Sequence, residues 1–293
     1  MQERALYMVD SFTTKRFTGN PAGVLYPADG LSDEAMIALA GELGASESAF
    51  IYRGDEQAKQ IPIRFFTAKQ EMPVCTHATV AAFHILATRY GLGAIHHTME
   101  SSGGTFPVAV RDHASGHPTV TLTQRGKGMI GIIGPILEPM LQTALGLGAE
   151  DLPDGRFSTV YEAATPRILV EVATKRALDS ITVDRQTLIQ LGAFMKCPGF
   201  FCYTYDGCEE GVFANARMFS PATGVDEDPV TGNAASAHAL FVRERGLVDD
   251  GTPLVYAQGE AMGRKGYVRV EVNGKVAQIT GEAVTVWQGS ILL

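Results

Sequence analysis

The chain has 293 residues, enough for two domains at roughly 100–200 residues each. Hydrophobic residues make up 45% and charged residues 19%, so each half has apolar material for its own core, and no stretch approaches the roughly 20 unbroken apolar residues of a membrane helix. The formal net charge of −8 comes without any lysine/arginine run, which argues against a nucleic-acid partner and leaves anions to be held locally, by backbone N–H groups or single arginines.

In chain order, Met1-Gln2-Glu3-Arg4-Ala5 lacks the basic-then-apolar pattern of a signal peptide, and a cytoplasmic location is expected. A helix is predicted ahead of Glu47. Ser32 caps it, Asp33 and Glu34 suit its first turn, Met36, Leu39, Ala40 and Leu43 form its apolar stripe, and Gly44 ends it. A strand begins near Ser48. A short strand carries Arg64-Phe65-Phe66-Thr67, and an alanine-rich helix runs from about His77 to Tyr90. The alternating segments Phe106 to Arg111 and Thr119 to Thr123 read as a hairpin turning at Asp112-His113-Ala114-Ser115-Gly116.

The pattern then recurs. Arg217-Met218-Phe219-Ser220 matches Arg64-Phe65-Phe66-Thr67 at an offset of 153 residues, about half the chain. The same offset sets Asp228 against Cys75, Ala234-Ala235 against Ala81-Ala82, and Gly246 against Gly93, where each following helix is expected to end. The second helix runs from about Asn233 to Arg245, and Tyr267 to Val272 and Val276 to Thr280 read as a hairpin about Asn273-Gly274. Each half is therefore predicted to be an antiparallel sheet wrapped around one central helix. The boundary is placed near Gly128, giving lobes 1–127 and 128–283, with the last strand, 284–293, returning to the first. If the halves face each other, both helix starts supply partial positive charge to one cleft, which suits a carboxylate and a developing enolate.

Four side-chain groups carry candidate chemistry. Glu47, flanked by small residues at a helix-to-strand junction, reads either as an exposed loop glutamate or as an enclosed carboxyl serving as general acid or base. Asp228, in Asp226-Glu227-Asp228-Pro229-Val230-Thr231-Gly232-Asn233, reads as a turn residue or as a second acid/base or orienting group. Its acids lack the alternating spacing of a hard-metal loop. Gly232 allows close backbone approach to a ligand. His77 reads as structural or as a proton relay. Cys75 is a potential thiolate at a helix start, but at this offset its partner is Asp228 and not a second cysteine, which suits proton removal and return on one face. Cys197, Cys202 and Cys208 form no CxxC pair or zinc spacing and read as buried reduced thiols. No metal is expected. No GxGxxG after a strand, GxxxxGK[ST], GxSxG or HExxH is present, so no cofactor is expected either.

Several segments together resemble the phenazine-biosynthesis isomerases, the PhzF-like family: Val9-Asp10-Ser11-Phe12-Thr13, Phe17-Thr18-Gly19-Asn20-Pro21-Ala22-Gly23-Val24, Ser46-Glu47-Ser48-Ala49-Phe50, Arg64-Phe65-Phe66-Thr67, Cys75-Thr76-His77-Ala78-Thr79 and Glu227-Asp228-Pro229-Val230-Thr231-Gly232-Asn233-Ala234. The resemblance implies the α/β (α+β) fold of diaminopimelate epimerase, with two pseudo-symmetric domains, each a β-barrel-like, mostly antiparallel sheet around a central helix. It implies an active site between them and a homodimer. The family's catalytic glutamate maps onto Glu47, its cleft histidine onto His77 and its cleft aspartate onto Asp228. Ser46, Cys75, Thr76, Gly232 and Asn233 complete the candidate substrate-binding set. The implied activity is a proton shift on a small carboxylated metabolite, as in trans-2,3-dihydro-3-hydroxyanthranilate isomerisation. Thr76 stands where the family often has glycine, and its side chain is expected to narrow the pocket. Two other readings remain open: an amino-acid racemase or epimerase using Cys75 and Asp228, and a non-catalytic metabolite-binding protein.

Overall fold

The structure, a computed structural model, describes residues 3–54, 59–94, 96–112, 116–153 and 158–293. The chain divides into two compact units, Met1–Gln124 with Gln278–Leu293, and Arg125–Ala277.

The first unit opens with β1 (Glu3–Ser11) and β2 (Asn20–Tyr26), paired antiparallel. Helix α1 (Asp33–Leu43) starts where Ser32 Oγ accepts the Ala35 N–H at 3.3 Å and stops at Gly44, whose φ of 66° an L side chain resists. Met36, Leu39 and Ala40 lay its apolar face on Leu6, Leu25, Phe50 and Phe66. This helical crossover lets β3 (Glu47–Ile51) run parallel to β2. β4 (Gln60–Phe66) returns antiparallel to β3, and its far edge is shared. Phe65 and Phe66 pair with the short β5 (Glu71–Met72). Helix α2 (Thr76–Tyr90) then crosses over to β6 (His96–Ser101), which runs parallel to Gln60–Pro62. β7 (Gly104–Arg111) and β8 (Thr119–Arg125) continue antiparallel. Residues 113–115 of the turn expected between them lie outside the described residues.

The second unit repeats this order. β9 (Gly128–Ile132) precedes α3 (Glu138–Leu145), and β10 (Thr159–Glu162) pairs antiparallel with both β9 and β11 (Pro166–Glu171). The crossover here is two helices, α4 (Lys175–Ser180) and α5 (Arg185–Met195), leading to β12 (Phe200–Thr204), parallel to β11. β13 (Ala214–Ser220) returns antiparallel to β12. Its far edge also splits: Met218 and Phe219 pair with β14 (Val225–Asp228), and after α6 (Gly232–Glu244) its first half runs parallel to β15 (Leu254–Gln258). β16 (Gly266–Asn273) follows antiparallel to β15, and a turn at Gly274 leads to β17 (Val276–Gly281), whose residues from Gln278 on belong to the first unit. The last strand, β18 (Ala283–Leu292), lies in the first unit, antiparallel to β1 from Glu3–Leu292 to Ser11–Ala283.

The two helices α2 and α6 are the cores around which the sheets are built. Every residue from Thr76 to Leu86 is buried, as are Gly232 and the run from Ala234 to Leu240. A helix buried on all sides needs small or apolar residues all round, which the alanines supply. The second unit adds a separate core, where Leu141, Leu145, Leu188 and Leu191 of its outer helices meet Ile168, Val170, Phe200 and Cys202.

The structure departs from the sequence-based expectation in three respects. First, the offset of 153 residues holds only through the strands: Phe66 and Phe219 occupy matching positions, facing Glu71 and Glu227. A 3-10 turn, Pro221–Thr223, then adds three residues, so beyond it the offset is 156. Cys75 and Thr231 are the residues that precede the two helices. The counterpart of Cys75 is therefore Thr231, and that of Met72 is Asp228. Second, α2 ends at Gly91, in the left-handed conformation at φ 70°, and not at Gly93. Third, Cys197 and Cys202 are buried, but Cys208 is only half-buried. The arginines confirm the true alignment. Arg64 donates to both Glu71 oxygens (3.0 and 2.7 Å) and lies 4.8 Å over Phe66. Arg217 donates to both Glu227 oxygens (2.8 Å each) and lies 4.9 Å over Phe219.

Candidate active site

The first unit gathers four of the expected residues. After α1 ends, the chain re-enters the sheet at Glu47, where pairing with Ala22 of β2 begins. Sheet pairing fixes the backbone there, and the Glu47 side chain is 16% exposed. Glu47 Oε2 stands 3.5 Å from His77 Nε2. Ser46 Oγ lies 3.4 Å from the same nitrogen. Cys75 Sγ lies 3.4 Å from His77 Nδ1 and 3.8 Å from Nε2.

The start of α2 is held by its backbone. The Cys75 carbonyl accepts from Thr79 N at 2.9 Å and Thr79 Oγ1 at 2.7 Å. Ser11 Oγ donates to the His77 carbonyl at 2.8 Å, tying β1 to the helix. The Cys75 side chain makes no capping bond, and its sulfur faces the imidazole instead. Cys75, Thr76 and His77 are all buried, so the group sits under low dielectric beside the positive end of a helix dipole. Thr76 occupies the first helical position, where its side chain is enclosed. Donor atoms of Glu47, Cys75 and His77 all lie within 4.8 Å of one another, a set that could hold a metal ion.

In the second unit, the three adjacent acids separate. Asp226 pairs with Arg185 at 2.8 Å, Glu227 with Arg217, and Asp228 Oδ2 accepts from Thr231 Oγ1. Each acid thus has its own partner rather than a shared ion. The Asp228–Thr231 segment is clamped by Gln258, a buried residue the sequence reading did not assign. Its Nε2 donates to the Asp228 carbonyl at 2.7 Å and to Thr231 Oγ1 at 3.2 Å, and its Oε1 accepts the Thr231 N–H at 3.2 Å. The available signal was a lone amide ending an apolar strand just before Gly259. That glycine, at φ 87°, has no room for a Cβ, which would fall 2.7 Å from the Pro229 carbonyl oxygen. Gly232 opens α6 and is buried. The Asn233 side chain is committed to the turn between β10 and β11: its Oδ1 accepts from Ala164 N at 3.0 Å and its Nδ2 donates to Thr165 Oγ1 at 2.6 Å.

The corrected alignment gives the second unit's counterparts of the first unit's cluster. Thr231 stands for Cys75, Gly232 for Thr76 and Asn233 for His77. Ser48 pairs with Phe66 as Phe200 pairs with Phe219, so Gly199 stands for Glu47. A Cβ at Gly199 would fall 2.4 Å from Met218 Cε and 2.7 Å from Arg167 Cδ, so a side chain there requires both of these to move. None of these four counterparts carries a group that ionises near neutral pH.

Comparison with known proteins bears on this arrangement. Residues 9–289 match the family described as phenazine biosynthesis-like protein, PhzC-PhzF. An uncharacterized isomerase of Clostridium acetobutylicum is 33% identical, with 98% of each chain covered. The trans-2,3-dihydro-3-hydroxyanthranilate isomerase of Pseudomonas fluorescens is 27% identical, again over 98% of each chain. Among solved structures, a PhzF-family phenazine biosynthesis protein of Bacillus anthracis is 25% identical, with a TM-score of 0.86 and all of both chains covered. A hydroxyproline epimerase of Agrobacterium vitis shares the fold at a TM-score of 0.64 and 13% identity, covering 99% of this chain and 91% of its own.

Proposed function

The chain belongs to the phenazine biosynthesis-like (PhzC-PhzF) family, and from that premise we propose that it is an isomerase in which Glu47 moves a proton between carbons of a small carboxylated substrate. Its relatives are named isomerases, and the chain is an enzyme of that class. The observation that carries the finer reading is the one-sided inventory: Glu47, Cys75 and His77 stand together in the first unit, while their counterparts in the second are Gly199, Thr231 and Asn233.

Glu47 takes a proton from a carbon made acidic by a neighbouring unsaturated carboxyl system. The C–H bond breaks, an O–H bond forms on Oε, and the electron pair enters the conjugated system as a dienolate. The start of α2 stabilises that charge with its dipole and N–H groups. His77, 3.5 Å from Glu47 Oε2, orients the carboxyl. Glu47 then returns the proton to a different carbon, so the double bond shifts and no oxidant or reductant is consumed. Asp228 is assigned to orienting the substrate, with Thr231 and Gln258 holding it. The homodimer and the resemblance to dihydrohydroxyanthranilate isomerisation remain part of this proposal.

A two-base racemase needs a base on each face of one carbon; Gly199, Thr231 and Asn233 carry none, so such an enzyme would have to recruit Asp228 as its second base. Incubation with a panel of small cyclic and amino-acid carboxylates in D2O, read by mass spectrometry and NMR, tests the reading. A product with a relocated double bond supports it. Inversion at an α-carbon with the bonding pattern unmoved overturns it in favour of a racemase using Cys75 and Asp228.

A further inference from the structure

We propose that Glu47, Cys75 and His77 form a binding site for a thiophilic divalent cation of the size and softness of Zn2+. The three donors differ in kind but suit one ion. Thiolate, imidazole and carboxylate are the ligand types zinc takes, at roughly 2.0–2.3 Å each. A tetrahedral ion at that range requires donor-to-donor separations of about 3.3–3.7 Å. His77 Nε2 lies 3.5 Å from Glu47 Oε2 and 3.8 Å from Cys75 Sγ. All three donors lie within 4.8 Å of one another, and because Cys75 Sγ is nearer Nδ1, at 3.4 Å, than Nε2, the thiol and the imidazole as well as the Glu47 carboxyl must turn to point one ring nitrogen and the other two donors at a common ion. Three protein ligands leave the fourth position to water, as in open zinc sites.

Further features favour an ion here. The sulfur is not spent on capping α2, so it is directed at the imidazole without competing with the helix. The backbone that presents Cys75 and His77 is fixed by Thr79 and Ser11, which limits the ordering that binding would require. The consequence for turnover rests on the reading of Glu47 as the base: an ion bound to its oxygen occupies the lone pair that must accept the substrate proton. The cluster would then be a point at which trace metal switches the enzyme off.

The test is Co2+ titration of the whole protein, followed by thiolate-to-cobalt charge-transfer absorption. One equivalent of Co2+ is expected to produce the band, and Zn2+ to remove it by displacement. Cys75→Ala is expected to abolish the band, and Cys208→Ala to leave it unchanged. His77→Gln and Glu47→Gln are expected to weaken affinity by about tenfold or more, since loss of even an outer-shell partner has an effect of that order. No band at excess Co2+, a band that survives Cys75→Ala, or unchanged affinity in both His77→Gln and Glu47→Gln overturns the site. Circular dichroism of each variant separates ligand loss from misfolding. Zn2+ that binds but leaves turnover intact upholds the site and overturns the assignment of Glu47 as base.

Discussion

Acidification is expected to destabilise the protein chiefly through two buried histidines. His238, on α6, is fully enclosed by rings, with Tyr203 at 3.9 Å between centroids, and its nitrogens meet Tyr205 OH at 3.2 Å and Tyr256 OH at 2.9 Å. Burial pushes its pKa from 6.5 down to about 3. His84, on α2, meets Thr285 Oγ1 at 3.1 Å, and burial, with smaller contributions from His117 and Arg89, lowers its pKa from 6.5 to about 4. Both folded values are depressed, so the unfolded chain binds these protons first. Their neutral forms support the fold above the unfolded pKa, and that support is lost as pH falls toward the folded values. At 1.36 kcal/mol per pH unit, each histidine removes about 2.5 kcal/mol between about pH 7 and pH 4.5. His97, lowered by burial, acts in the same direction, and Glu138, raised by burial, opposes it. The lowered carboxyls of Asp184 and Asp250 act mainly below their unfolded value of 3.8, and the lowered Glu34, Glu71, Glu209 and Glu260 add a smaller loss of the same sign at the acid end of the window. Urea denaturation at both pH values, on the wild type and on His238→Gln, reads this directly. The variant should lose about half the pH dependence. A wild-type change below about 1 kcal/mol, or an identical change in the variant, refutes the reasoning.

The duplicated arginines predict unequal effects. Arg217 also donates to the Leu178, Asp179 and Ile181 carbonyls, and it and Glu227 are only 11% and 18% exposed. Arg217→Met should therefore destabilise by about 3 kcal/mol or more, whereas Arg64→Met, whose partners are more open, should remain near 1 kcal/mol; urea denaturation of both variants checks the order. Gln258→Leu removes three hydrogen bonds from the Asp228–Thr231 segment. It should destabilise by about 1–3 kcal/mol and reduce turnover as Asp228→Asn does, and steady-state kinetics of the double variant should show a deficit smaller than the sum, as expected for coupled neighbours.

Local signals in the chain were enough to place α1, since its cap, apolar stripe and terminal glycine are contiguous: Ser32, Met36, Leu39 and Gly44 all take the parts their chemistry suggests. The repeat was legible in the strands for the same reason. The equivalence of Cys75 with Asp228 was misread because a helix start is defined by backbone geometry, and a three-residue turn after Ser220 shifted it while leaving alanines on both sides to match by coincidence. Glu47 and His77 lie 30 residues apart, and their meeting depends on a parallel crossover and on α2 threading the sheet. Only the family resemblance joined them beforehand. Gln258 and His238 were not legible because each is defined by partners from distant strands, and an isolated amide or imidazole in an apolar run carries no sign of them.

The central claim is that one carboxyl moves the proton. Its most direct measurement is turnover by Glu47→Gln on a substrate identified with the wild type, alongside calorimetric binding of the same compound. The exchange keeps the side-chain shape and removes the basic oxygen, so binding should stay within about threefold while turnover falls by about a hundredfold or more, the range of general acid–base contributions. Undiminished turnover with intact binding contradicts the account.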